Sequence, residues 1–138
     1  MQRIKIEPPK KSLFKYSFTI NEDDINMANH VGNERILVFA NTIREKMFQH
    51  LQLNLLNTES GIIVANHSIV YKSEGFLGDA ISCVIGVENM SECSFDLIFH
   101  FIKNQEKTLA MVRTGCVYFD YINRKIHPLP ESYIQTFK

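Results

Sequence analysis

DINMANHVGNERILVFANTIREKMFQHL, residues 24 to 51, is the stretch that decides the fold: a polar turn dense in Asn, His and Gly opens directly into the one long amphipathic segment of the chain. From Ile36 the apolar residues Ile36, Ala40, Ile43, Met47 and Leu51 keep the spacing of a single helical face, and Leu37, Phe39 and Phe48 widen it. A stripe that broad needs cover on most sides, so a buried helix is expected. Asn33, between Gly32 and Glu34, reads as the N-cap, which leaves the first helical amides pointing into the polar turn. A helix N-terminus carries about half a positive charge and stabilises an electron-rich oxygen placed there. This junction is the candidate site.

Around the helix the chain reads as strands. Leu13 to Ile20 is aromatic and β-branched, and a second extended run follows Gly61 after the loop NLLNTESG. Asp79 to Glu88 puts Ile81, Cys83, Ile85 and Val87 on one side, and Ser94 to Lys103 puts Phe95, Leu97, Phe99 and Phe101 on one face. KNQEK links that strand to TLAMVRTGCVYFDY as a hairpin, with Leu109, Met111, Val117 and Phe119 on one side and Gly115 marking a bend or bulge. ESYIQTF closes the chain as a helical turn. Short links favour antiparallel pairing, and a sheet with one apolar face needs one helix to cover it. The expectation is α+β: an antiparallel five-stranded sheet wrapped around one long central helix. The second face still carries Ile98, Val84, Val112 and Tyr118, so it or the sheet edge is expected to meet another copy.

Composition narrows the function classes. The 138 residues fit a single domain, 13 to 138, behind an extended or mobile leader, 1 to 12, that holds Pro8, Pro9 and several lysines. Fifteen basic residues balance fifteen acidic ones, which argues against a nucleic-acid or anionic-membrane surface. Three cysteines without metal-ligand spacing read as reduced thiols, and no apolar run is long enough for a signal peptide or membrane span, so a soluble, cytoplasmic protein is expected. Nothing has the spacing of a metal site, a serine-hydrolase elbow or a phosphate loop, so chemistry without metal or cofactor is expected.

With the turn residues in view, the chain resembles the hotdog fold and, within it, the 4-hydroxybenzoyl-CoA thioesterase-like group. Many of that group carry a turn of the form D-x-(D/N)-x-x-G-H-V-N-N-x-R-Y before the central helix; here it reads Asp24, Ile25, Asn26, Met27, Ala28, Asn29, His30, Val31, Gly32, Asn33, Glu34, Arg35, Ile36. It looks closest to bacterial thioesterase-like proteins with an H-V-G-N-(D/E) turn. YKSEGFLGD at Tyr71 to Asp79, TGCVYFDY at Thr114 to Tyr121 and PLP at Pro128 to Pro130 are similar to that subgroup as well. The resemblance implies hydrolysis of an acyl thioester on coenzyme A or acyl carrier protein, and a pocket shared by a homodimer or a dimer of dimers. It also implies a backbone N–H at the helix start on the thioester carbonyl and a turn carboxylate as nucleophile or base.

The residues themselves support the first part. Preorganised amides at a helix start favour the growing oxyanion over the neutral carbonyl, and the Asn33 and Glu34 N–H groups are the candidates. Asn29, Gly32 and Asn33 are the substrate-binding set. The second part departs from the family, because the position of the active Asp holds Asn26, which orients a water or substrate but takes no proton. Glu34, beside the proposed donors, is the best remaining acid, and His30 is the other candidate base, since imidazoles change charge near neutral pH. Each has a structural rival. Asp24 and Asn26 serve equally as cap and Asx-turn residues, Glu34 as an acid complementing the helix dipole, His30 as a hydrogen-bonding turn residue and Gly32 as backbone freedom. Two other readings stay open: a catalytically silent acyl-thioester-binding module, and a hotdog hydratase or dehydratase.

Overall fold

A computed structural model supplies the structure, described over residues 1 to 53 and 59 to 138. The chain runs β1 (Phe14–Thr19), a 3-10 turn (Glu22–Asp24), α1 (Asn33–His50), β2 (Ser60–Tyr71), β3 (Ala80–Glu88), β4 (Ser94–Lys103), β5 (Lys107–Asp120), β6 (Lys125–Ile126) and α2 (Glu131–Phe137). The strands form one antiparallel sheet in the order β1-β3-β4-β5-β2, with the two-residue β6 paired to β5. Residues 54 to 58, read from sequence as loop, lie outside the described residues.

The expected face of α1 is the buried one. Ile36, Phe39, Ala40, Ile43, Met47 and Phe48 are all buried, and they meet the inner sheet face through Phe95, Leu97, Phe99 and Phe101. Burial of each of these side chains other than that of Ala40 stabilises the fold by roughly 1.5–3 kcal/mol relative to exposure. The β4–β5 hairpin turns through Asn104, Gln105 and Glu106, the first two at positive φ and the Glu106 N–H donating to the Lys103 carbonyl at 3.1 Å.

The last long strand departs from simple alternation. Phe101 pairs with Ala110 but Ile102 pairs with Thr108, so Leu109 is an extra residue in β5. Leu109 and Ala110 are both buried in the helix-side core, and the alternation restarts one step out of phase. Val112 and Tyr118, expected on the second face, therefore lie on the inner one, and Met111 lies on the outer face with Ile98. At Gly115 the extra residue is in the partner strand: Val64 pairs with Cys116 and Asn66 with Gly115, leaving Ala65 over.

The outer face near Ile98 is covered by the chain's own leader. Residues 1 to 12 have no regular secondary structure, yet Ile6 is buried against Ile98, Met111 and Val70. Farther along, Pro9 and Lys11 cross β3 at Gly86, where an added Cβ would stand 2.5 Å from the Lys11 carbonyl oxygen and from Pro9 Cβ. Only a residue without a side chain admits that crossing. The leader then joins β1, which pairs with β3 from Phe14 onward.

Candidate active site at the start of the central helix

Three hydrogen-bonded layers fix the turn before α1. Asn21 and Asp24 cap the 3-10 turn reciprocally, Asn21 Oδ1 accepting from the Asp23 N–H at 3.0 Å and Asp24 Oδ2 from the Asn21 N–H at 3.1 Å. The other Asp24 oxygen accepts from Arg35 Nη2 at 2.8 Å and Nε at 3.1 Å, which holds the buried carboxylate in a fork. Asp24 thus has a structural position, tying the turn to Arg35, the residue immediately after the candidate amides. Above it Ile25 and Val31 form a β-bridge, and the Gly32 N–H donates to the Asp24 carbonyl at 3.1 Å.

The tip, residues 26 to 30, is an Asx turn. Asn26 Oδ1 accepts from the Ala28 N–H at 2.9 Å and lies 3.4 Å from the His30 nitrogen, and the Asn26 N–H donates to the His30 carbonyl at 2.9 Å. Because both partners of that side-chain atom are donors, it must be the oxygen, and the Asn26 NH2 faces away from them. Asn29 sits at φ 66°, a conformation asparagine tolerates well. His30 Nδ1 lies 3.2 Å from the Val31 carbonyl oxygen, which only accepts, so Nδ1 is the donor in that contact.

The helix begins one residue earlier than the sequence suggests. Gly32, at φ −62° and ψ 143°, is the N-cap and Asn33 the first helical residue, a correction to the reading of Asn33 as cap. Glycine is itself a favoured cap, and the absence of a Cβ at Gly32 leaves room for the Glu34 side chain to fold back over it, its Oε1 2.5 Å from where a Cβ would be. No side-chain oxygen bonds as a cap. The Arg35 N–H donates to the Gly32 carbonyl at 3.0 Å, while among the described residues nothing accepts from the Asn33 or Glu34 N–H. These are orphan donors of the kind every helix start presents.

A cleft of about 300 Å³ opens at this point. Asn26, His30 and Asn33 line one side, Tyr71, Ser73 and Glu74 the other, over a floor of Ile36 and Leu109. The structure therefore brings Asn26, His30 and Asn33 together. Asn29, Gly32 and Glu34 are not on the cleft wall: Asn29 shapes the turn, Gly32 starts the helix, and the Glu34 carboxylate lies above Gly32.

Sequence reasoning missed the opposite wall. Tyr71 ends β2, and its hydroxyl donates to the Asn33 carbonyl at 3.0 Å; burial, and then the negative charge of Glu34, pushes its pKa up. The Val31 N–H donates to the Gly75 carbonyl at 2.8 Å, so the YKSEGFLGD segment is stitched to the turn. That segment was visible as a motif, but its place at the helix start depends on strand order, which local pattern does not encode. Glu74 is the one acid among the lining residues.

The remaining histidines stand elsewhere. His67 Nδ1 pairs with Thr114 Oγ1 at 2.9 Å and His100 Nε2 with Thr108 Oγ1 at 2.8 Å, and burial lowers the pKa of both. No group of three or more metal-ligating side chains is present among the described residues, and among them no helix is long and apolar enough to cross a membrane. All three cysteines are free; Cys83 and Cys116 are buried, which pushes the Cys116 thiol up to about 12, while Cys93 is half-buried.

Comparison with known proteins places this geometry. The family model described as the thioesterase-like superfamily matches residues 20–137. A 1,4-dihydroxy-2-naphthoyl-CoA thioesterase from Synechocystis superposes with a TM-score of 0.84 at 19% identity, covering 90% of this chain and 94% of its own. A putative thioesterase from Pseudomonas aeruginosa gives 0.86 at 15% identity, covering 93% and 100%. A gentisyl-coenzyme A thioesterase gives 0.81 at 19% identity, covering 91% and 100%. No curated protein sequence matches the chain. At these identities the structures establish the fold, a sheet wrapped around one central helix in the hotdog arrangement.

Proposed function

The chain belongs to the thioesterase-like superfamily, and from that premise we propose that it hydrolyses an acyl thioester of coenzyme A or of an acyl carrier protein in the cleft at the start of α1. Water adds to the thioester carbon, the carbonyl oxygen becomes an oxyanion, the C–S bond breaks, and the thiolate leaves to be protonated as free thiol. The observation that carries the reading is the pair of unengaged N–H groups of Asn33 and Glu34, the former on the cleft wall. Each such donor, aimed where negative charge develops, is worth about 3–4 kcal/mol of barrier. The Asn26 NH2 orients the water or the carbonyl. Glu34, whose carboxylate stands over Gly32 beside those amides and off the cleft wall, accepts the water proton by turning toward the cleft; His30, which lines the cleft, is the other candidate base.

Ile36 and Leu109 give the cleft an apolar floor suited to an acyl or aryl group, in keeping with the naphthoyl and gentisyl esters named for two of the structural neighbours. Pairing of two copies along the free edge of β2, where Ile63 and Val64 are exposed, would complete the pocket wall. Purified protein incubated with a panel of acyl-CoA and acyl-carrier esters and a thiol-reactive dye tests the reading, and free thiol should appear in proportion to enzyme. Asn26 favours a second reading, the silent binding module, because its oxygen is already committed to the turn. Saturable binding of every ester without thiol release is the result that would select it.

A further inference from the structure

The hydroxyl of Tyr71 crosses from one wall of the cleft to the other and donates to the Asn33 carbonyl at 3.0 Å. That carbonyl and the Glu34 N–H are the two ends of one peptide unit. A peptide is planar and trans, so its oxygen and its hydrogen point in opposite directions and turn only together. Holding the oxygen therefore aims the N–H. Of the two unengaged amides at the helix start, that of Glu34 is the one aimed in this way.

The hold is anchored at its other end. Tyr71 is the last residue of β2 and pairs with Ala110 of β5. Immediately after it the Lys72 and Ser73 N–H groups donate to the Leu109 carbonyl at 2.9 and 3.2 Å, and the Ser73 hydroxyl donates to the Thr108 carbonyl at 2.8 Å. Farther along, the Gly75 carbonyl accepts from the Val31 N–H, which ties the same segment to the turn before α1. A side chain carried on backbone fixed before and after it presents its hydroxyl with little left to reorganise. Burial, and then the negative charge of Glu34, raise the Tyr71 pKa, so the phenol keeps its proton and remains a donor through the neutral range.

The bond also acts on the electrons of the peptide. A carbonyl that accepts a hydrogen bond draws the nitrogen lone pair toward itself, which makes the N–H a better donor. Within α1 the Asn33 carbonyl already serves the helical ladder one turn on, so the phenol takes its second lone pair. Among the described residues the peptide carrying the Asn33 N–H has no side-chain partner of this kind. Its oxygen, the Gly32 carbonyl, accepts from the Arg35 N–H at 3.0 Å, a tight bond only three residues on. We propose that Tyr71 is a positioning residue that holds and polarises the Asn33–Glu34 peptide, making the Glu34 N–H the principal donor to the acyl oxygen. The proposal rests on the thioesterase reading above for the identity of that oxygen.

Tyr71→Phe removes the hydroxyl and keeps the ring, which is 52% exposed, so the thermal melt should not move. In the thiol-release assay with an acyl-CoA ester, kcat should fall at least about tenfold while KM stays within about twofold, because the donor meets full charge only in the transition state. A rise in KM with kcat unchanged would make Tyr71 an ordinary ground-state contact, and unchanged values of both would leave it no role; either overturns the proposal. The second readout needs no turnover. In amide NMR spectra of the free proteins, Tyr71→Phe should shift the Glu34 nitrogen resonance upfield, and no shift there overturns the proposal. Titration of the wild type with an acyl-CoA analogue carrying a methylene in place of the sulfur should move the Glu34 amide proton downfield by more than that of Asn33. A response at Asn33 with none at Glu34 overturns the proposal as well. If no ester is hydrolysed the thioesterase reading fails by itself, while the amide resonances still decide what Tyr71 does to this peptide.

Discussion

Replacing Gly32 with alanine probes the Glu34 carboxylate without touching its chemistry. The added Cβ would stand 2.5 Å from Oε1 and 2.7 Å from Oε2, so the carboxylate must withdraw by roughly 1 Å to reach ordinary contact distance. Its freely rotating end allows that. The backbone at Gly32, φ −62° and ψ 143°, suits any residue, so alanine adds no strain. Reduced freedom of the unfolded chain stabilises by about 0.4–1 kcal/mol, and the weakened carboxylate–dipole interaction costs about 0.3–1 kcal/mol. The melting temperature should therefore barely move. Activity should fall sharply, because a base displaced from its water loses most of its advantage. The companion Glu34→Gln, which keeps the shape and removes the base, should lower kcat about a hundredfold, or about 2.7 kcal/mol of barrier. Both variants are assayed by thiol release, with thermal melts alongside. Wild-type rates in both would remove Glu34 from the mechanism and leave His30 as the base.

Three further outcomes follow from the same contacts. Asp24→Ala strands the Arg35 guanidinium and the Asn21 amide, and should cost roughly 3 kcal/mol in urea unfolding, the low end for a broken buried pair because the Arg35 side chain is 31% exposed. Stability should fall as pH drops below about 6.5, because burial holds the folded-state pKa of His100 below its unfolded value and the unfolded chain binds the proton first. His100→Gln should flatten that loss, and an unchanged pH profile would show that the histidine does not contribute. Sedimentation at micromolar concentration should find at least a dimer, and Ile63→Lys on the open edge of β2 should shift it toward monomer; a wild-type monomer would contradict the paired-edge account.

The sheet and the helix were legible because their periodicities are local. Ser94–Lys103 and Glu131–Phe137 begin and end where the pattern places them, and the buried stripe of α1 is the one its spacing picks out. The faces of β5 were misread because one extra residue at Leu109 inverts the alternation after it, and a bulge of that kind leaves no signature in side-chain type. The turn residues Asn26, His30 and Asn33 were found as a cluster since they are neighbours in sequence. Tyr71, Ser73 and Glu74 were not, because β2 reaches the helix start only through its pairing with β5. The N-cap moved by one residue because asparagine and glycine are both accepted at that position, and the cap that forms makes no side-chain hydrogen bond that residue type could have signalled.

The most direct test is a crystal structure with an acyl-CoA analogue in which a methylene replaces the sulfur, so that the carbonyl stays and hydrolysis cannot occur. The carbonyl oxygen should lie about 2.9 Å from the amide nitrogen of Asn33 or Glu34, with the acyl group on Ile36 and Leu109. An analogue bound with its carbonyl turned to other donors, while those two amides face water, would contradict the account.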